Sequence, residues 1–173
     1  MNIKKSILFA LVPMLCVGAA EATPIAWYVG GSVGFGGQHI DGTNLTAQSY
    51  GALAGIDVPF LRFDAEYNYL TSTKSGERLN AHIAMANAYV KMENPMMVTP
   101  YAGAGIGAVV GGDVAGYDID TSLAFQGMLG LQFGIPTTHV FLDLEGRALY
   151  SPNVIEDSGL FHYDLRVKLR YAF

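Results

Sequence analysis

Four groups of residues in this chain are of types that could do chemistry. His162 follows Ser158 by four positions, with Asp157 and Asp164 beside it. A histidine, a hydroxyl and a carboxylate are the parts of an activated nucleophile for ester cleavage. That chemistry needs the histidine and the serine within hydrogen-bond reach of each other. Here His162 falls on the polar, inward face of an alternating stretch. It reads as a histidine inside a polar network. Asp113, Asp118 and Asp120 could offer carboxylate oxygens to a hard divalent cation. No D-x-D-x-D-G spacing accompanies them, so they read as a solvated acidic loop, with a divalent bridge to anionic lipid headgroups as the alternative. The run AGAGIGAVVGG (102–112) looks like a phosphate-cradling loop, but no βαβ unit surrounds it. Glycines two apart make room on one strand face for large neighbours. No catalytic, cofactor-binding or metal-ligating residue is therefore expected, and the chain reads as non-enzymatic.

The fourth group is the largest. Arg62, Asp64 and Glu66 alternate along one stretch; Asp143, Glu145 and Arg147 along another; Arg166, Lys168 and Arg170 along a third. Charges two apart need strands to align them on one side. The last stretch shows the strand best. In LFHYDLRVKLRYAF (160–173), Phe161, Tyr163, Leu165, Val167, Leu169, Tyr171 and Phe173 make one face, and His162, Asp164, Arg166, Lys168, Arg170 and Ala172 the other. Aromatics gather at both ends of the apolar face with aliphatics between them. That is the pattern of a strand crossing a bilayer, rings at the water interfaces and hydrocarbon in the middle.

The N-terminal end agrees. Lys4 and Lys5, an apolar run from Ile7 to Ala20 and the small-x-small triplet Ala20-Glu21-Ala22 read as a secretory signal peptide, residues 1–22, cleaved after Ala22. The one cysteine, Cys16, lies inside it, preceded by Pro13-Met14-Leu15, which does not suit lipidation. A thiol-free mature chain cannot rest on disulfides. The formal charge of −5 becomes −6 once Lys4, Lys5 and Glu21 are gone, leaving 8 basic against 14 acidic residues. That balance offers nothing to nucleic acid. The most apolar mature stretch, 121–142, is broken by Gly134-Ile135-Pro136 and carries Gln126 and Gln132; a membrane helix tolerates that poorly and a barrel strand expects it.

Eight alternating segments follow in the mature chain, residues 23–173, which form one domain. They are 25–36, 47–58, 60–70, 79–92, 97–110, 122–135, 139–150 and 160–173. The fourth has the weakest pattern, because Asn80 and His82 oppose the parity of Asn87, Tyr89 and Lys91; a bulge or a late start would explain it. Short turns at Pro59, Pro95 and Pro136 alternate with longer loops at 37–46, 71–78, 111–120 and 151–159. The expected fold is all-β, an eight-stranded antiparallel up-and-down transmembrane β-barrel with both ends on the short-turn, periplasmic side. Trp27, Phe133, Tyr171 and Phe173 then fall at the periplasmic rim. Phe35, Tyr50, Tyr67, Tyr69, Tyr150, Phe161 and Tyr163 fall at the outer rim.

LRFDAEYNYL (61–70), TPYAGAGIG (99–107), WYVGGSVGFG (27–36) and the terminal DLRVKLRYAF resemble the small eight-stranded bacterial outer-membrane barrels. That family takes in porin-family proteins such as the opacity-type adhesins, neisserial surface protein and the membrane domain of outer membrane protein A. The resemblance covers the mature chain at the level of strand pattern. It implies residence in the cell outer membrane among its lipids and lipopolysaccharide. It also implies recognition of the C-terminal strand by the barrel assembly machinery, and a role as surface antigen, adhesin, resistance factor or structural protein, with host surface or matrix ligands met through the outer loops. Some such barrels are lipid-modifying enzymes of the lipid A deacylase or acyltransferase type, which makes that the alternative function. No cofactor is implied.

An eight-stranded barrel is only wide enough for its own side chains to fill it. The alternating charges are therefore expected to close the lumen as a salt-bridge core rather than line a pore. Their signs also set a register. With facing positions of the last two strands summing to 311, Arg147 meets Asp164, Glu145 meets Arg166 and Asp143 meets Lys168. A sum of 313 opposes Arg147 to Arg166, and 309 opposes Glu145 to Asp164; like charges directly opposed are destabilising. Exchanging the signs of Glu145 and Arg166 is then expected to recover part of what losing Arg166 costs.

Overall fold

The computed structural model describes residues 25–40, 43–74, 77–92, 98–114, 117–118, 121–155 and 158–173. Their strands are β1 (Ala26–Ile40), β2 (Thr43–Val58), β3 (Leu61–Lys74), β4 (Glu77–Lys91), β5 (Val98–Val114), a two-residue β6 (Tyr117–Asp118), β7 (Ser122–Gly134), β8 (Val140–Ile155) and β9 (Ser158–Ala172). Every pairing is antiparallel. The order β4-β3-β2-β1-β9-β8-β7-β5 is closed by β4 against β5, and β6 pairs only with the outer end of β5. The eight long strands thus make a closed up-and-down barrel with no free edge, which is how a sheet satisfies its backbone in lipid. The seam joins the two ends of the barrel: β1 pairs with β9 from Tyr28↔Ala172 to Ile40↔Leu160, and the Phe173 amide donates to the Trp27 carbonyl at 2.9 Å.

The alternation read from the sequence holds as inside and outside. On β9, His162, Asp164, Arg166, Lys168 and Arg170 are buried, while Leu165 (67% exposed), Leu169 and Tyr171 face outward. Trp27, Phe35, Tyr50, Tyr67, Tyr150, Phe161 and Tyr163 are exposed on the wall. The glycines of β5 do make room. A Cβ on Gly103 would run into the Tyr89 ring, and one on Gly105 into the Asn87 carboxamide. The last hairpin takes the 311 register: Arg147↔Asp164, Glu145↔Arg166, Asp143↔Lys168 and Tyr150↔Phe161.

Two expectations needed revision. The strands run past the segments read as loops, with pairing out to Ile40↔Thr43, Lys74↔Glu77 and Ile155↔Ser158. Beyond the hydrocarbon no apolar face is required, so alternation fades while hydrogen-bonded pairing continues. β4 does not switch parity either. Ala81, Ile83 and Met85 are buried in line with Asn87, Tyr89 and Lys91, and His82 faces outward. The irregularity sits across from it on β5, where Val110 is skipped between Ile83↔Val109 and His82↔Gly111.

The turn at Pro59 is a two-residue connection with Phe60 at φ 62°, and the one at Pro136 places Thr137 at φ 64°. Residues 93–97, with the expected turn at Pro95, lie outside the described residues, as does the expected signal peptide.

Candidate functional site

Among the described residues, strand parity delivers twelve charged side chains to one lumen: Asp57 from β2; Arg62, Asp64 and Glu66 from β3; Lys91 from β4; Asp143, Glu145 and Arg147 from β8; Asp164, Arg166, Lys168 and Arg170 from β9. All are buried except Asp57, which is half-buried, and the six cations match the six carboxylates. A dry interior demands that balance, because an unpaired charge there is very costly.

The network is layered. Toward the short-turn end Arg170 clasps Asp143 with Nε and Nη2 at 2.9 and 3.0 Å, and Nη2 also donates to Gln132 at 2.8 Å. Its guanidinium lies 4.8 Å from the Tyr28 ring centre, and the Tyr28 hydroxyl donates to Asp64 at 2.9 Å. Lys91 pairs with Asp57 at this end. Arg62 donates to Asp143 at 3.0 Å with the rings of Tyr89 and Tyr101 at 4.0 and 4.5 Å. Cation–π contact is strongest where water is absent.

At the centre Arg166 bridges two carboxylates, Glu66 at 2.5 Å and Glu145, and also reaches Asn68 at 3.2 Å. Lys168 serves the same two, Glu145 at 3.0 Å and Glu66 at 3.7 Å. Asn87 donates to Asp64 and Glu66, and Gln126 donates to Asn87. Further out Arg147 holds Asp164 through two nitrogens at 2.9 and 2.7 Å. Above that the lumen turns apolar: Leu70, Ile83, Met85, Val109, Leu149 and Leu160 form a buried cluster with Ala81 and Ala124.

Register and partnership differ in one place. Asp143 faces Lys168 across the ladder but bonds Arg62 and Arg170, while Lys168 turns to the glutamates. Because Arg166 is shared with Glu66, exchanging it with Glu145 would set a carboxylate against Glu66, so the exchange would keep the net charge but not the pairing.

His162 lies in this lumen, fully buried, with Nε2 3.2 Å from Asp164 Oδ2. Ser49 donates to the same carboxylate oxygen at 2.6 Å. Serine and histidine therefore meet at the aspartate, not at each other, and both are sealed from lipid and water. The side chains of Ser158, Asp157, Asp113, Asp118 and Asp120 lie outside the described residues. Sequence reasoning left Asp57, Gln126 and Gln132 unassigned to the lumen, although their parity was the available signal.

A closed antiparallel barrel, apolar outside, ringed by aromatics at both ends and plugged by a neutral ionic core, defines an integral outer-membrane β-barrel protein. The chain belongs to the outer membrane protein beta-barrel domain family, whose model matches residues 7–173. The family places it in the outer membrane. No curated protein matches its sequence. Among solved structures it is similar to Neisserial surface protein A, at 21% identity over 85% of this chain and 97% of that one, with a TM-score of 0.73. It is also similar to the outer membrane protein AlkL, at 13% identity over 94% and 97% with a TM-score of 0.53. The outer membrane enzyme PagL matches at 16% identity over 79% and 97%, with a TM-score of 0.52. At these identities the likeness is one of fold.

Proposed function

We propose that this barrel has a structural or surface-interaction role, as a surface antigen, adhesin or resistance factor, and neither conducts solutes nor catalyses a reaction. The carrying observation is the lumen: Arg62, Glu66, Glu145, Arg166 and Lys168 are 0–2% exposed, and an apolar cluster lies over them. What remains for recognition is the outer end of the hairpins and the lipid-facing wall. The partners expected are outer-membrane lipids and lipopolysaccharide, the barrel assembly machinery through β9, and a host surface or matrix ligand at the hairpin tips. Planar-bilayer recording of the refolded barrel should give no conductance steps; steady channels would overturn the closed-lumen reading. Binding to immobilised matrix proteins that disappears when residues 37–46 and 151–159 are exchanged would support the surface role.

The alternative, a lipid A deacylase or acyltransferase, draws on the fold likeness to an outer membrane enzyme and on an outward-facing histidine, His82. Its neighbours along the outer face of β4 are Asn80 and Ala84, with no serine between. Lipid mass profiles of cells with and without the protein separate the readings: a shift in acyl composition would favour the enzyme.

A further inference from the structure

The wall formed by β3, β4 and β5 carries a feature the lumen does not explain. His82 faces outward at the aromatic rim, half-buried, where a polar ring meets hydrocarbon. Its Nδ1 lies 2.7 Å from the Tyr67 hydroxyl, and its ring centre is 6.0 Å from that of Tyr67 and 5.1 Å from that of Tyr69. With Tyr67 donating to Nδ1, Nε2 carries the proton, and Nε2 has no partner among the described residues. Register sets Tyr69 opposite His82, and the next row outward holds Thr71, Asn80 and Asp113. Within the rim row itself and inward of it, no Asp or Glu faces outward on these three strands.

Inward of His82, past exposed Ala84, the wall is hollow: a groove of about 550 Å³ runs over Ala86 and Ala88 between Phe63 and Ile106. Six residues of strand from Ala88 to His82 measure roughly 20 Å. At a tilt near 40° they cover about 15 Å of depth, one leaflet of a ~30 Å hydrocarbon core. A donor at headgroup height, with an apolar groove deeper in the same leaflet below it, matches the two parts of a lipid.

We propose that Tyr67, Tyr69 and His82 with this groove form a binding site for one phosphate-bearing lipid of the outer leaflet. The acyl chain lies between Phe63 and Ile106, and a phosphate oxygen accepts a hydrogen bond from His82 Nε2. The site rests on the orientation that puts the short turns in the periplasm. Lipid is the occupant because the exposed residues of the groove, Phe63, Ala86, Ala88, Ala104 and Ile106, lie on the wall that faces the membrane.

The test uses the refolded barrel in maltoside detergent, titrated with diphosphorylated lipid A, with phosphatidylglycerol or with dephosphorylated lipid A, and native mass spectrometry of the retained adduct. One phosphorylated lipid should be retained per barrel, and His82→Ala should weaken it about tenfold, the loss of one charge-assisted hydrogen bond. His39→Ala, at another outward-facing histidine, should leave binding unchanged. Retention of lipid A alone identifies the glycolipid as the source; equal retention of phosphatidylglycerol identifies any phosphate headgroup. Equal retention of dephosphorylated lipid A, or of lipid A by His82→Ala, would overturn the site. If His82→Ala does not fold, His82→Gln and the ¹⁵N shift of wild-type His82 on adding lipid A decide the matter. A heat-modifiable barrel without lipid preference would sink this proposal and leave the surface role standing.

Discussion

Replacing Arg166 by alanine tests the lumen most directly. The guanidinium touches Glu66 and Glu145 and donates to Asn68, and all of these side chains are fully buried. Without it two carboxylates share one ammonium, Lys168, at 3.0 and 3.7 Å, and the interior carries a net negative charge. Breaking a buried pair costs roughly 3–5 kcal/mol. Lys168 stays within reach of both glutamates, so the loss should lie near the lower figure, about 3 kcal/mol. Adding Glu145→Gln removes the surplus charge and leaves Lys168 to Glu66. Residues in one network couple by roughly 0.5–3 kcal/mol, and the double variant should recover about half the loss. The reversed exchange, Glu145→Arg with Arg166→Glu, should do worse than either, since it sets a carboxylate against Glu66 and a guanidinium near Lys168. Urea titration in phospholipid vesicles can follow this through the fluorescence of Trp27, the chain's one tryptophan, which sits exposed on the wall. A cost below about 1 kcal/mol for Arg166→Ala would refute the argument, as would losses that simply add in the double variant.

Three further outcomes follow from the closed wall. The folded barrel should keep a faster gel mobility in detergent until boiled, because its backbone hydrogen bonds close in a ring; identical boiled and unboiled bands would contradict the fold. Gly103→Leu should lower the urea midpoint by an amount equivalent to about 1–3 kcal/mol through overpacking against Tyr89, while Gly127→Ala, with nothing within 4 Å of its Cβ, should be nearly silent. Deleting Phe173, whose amide joins the seam at Trp27, should reduce outer-membrane yield far more than deleting Thr23; equal yields would remove the C-terminal strand from assembly.

Much of the ionic core was legible because a strand's period of two is rigid. Once Arg62, Asp64 and Glu66 share a face, so do their counterparts on β8 and β9, and only the inside of a narrow barrel can hold them. Sign alone then chose the register of the last hairpin, since either neighbouring slip opposes like charges. β4 misled for the opposite reason. Its buried Ala81, Ile83 and Met85 are apolar inside and His82 is polar outside, so hydropathy inverted while geometry did not.

What the sequence determined by itself was the wall: strand count, the sidedness of the residues outside the first half of β4, the aromatic rims and the glycines beneath large side chains. These follow from local alternation, which any one strand carries alone. What only the tertiary structure decided was partnership across the lumen. Arg166 shared between Glu66 and Glu145, Arg62 between two tyrosine rings, and Asp143 turned to Arg62 and Arg170 rather than Lys168 all depend on the curvature of the closed sheet. Curvature brings β3 against β8 and β9 through space, and long side chains reach diagonally for the nearest opposite charge. No pattern along the chain encodes that distance.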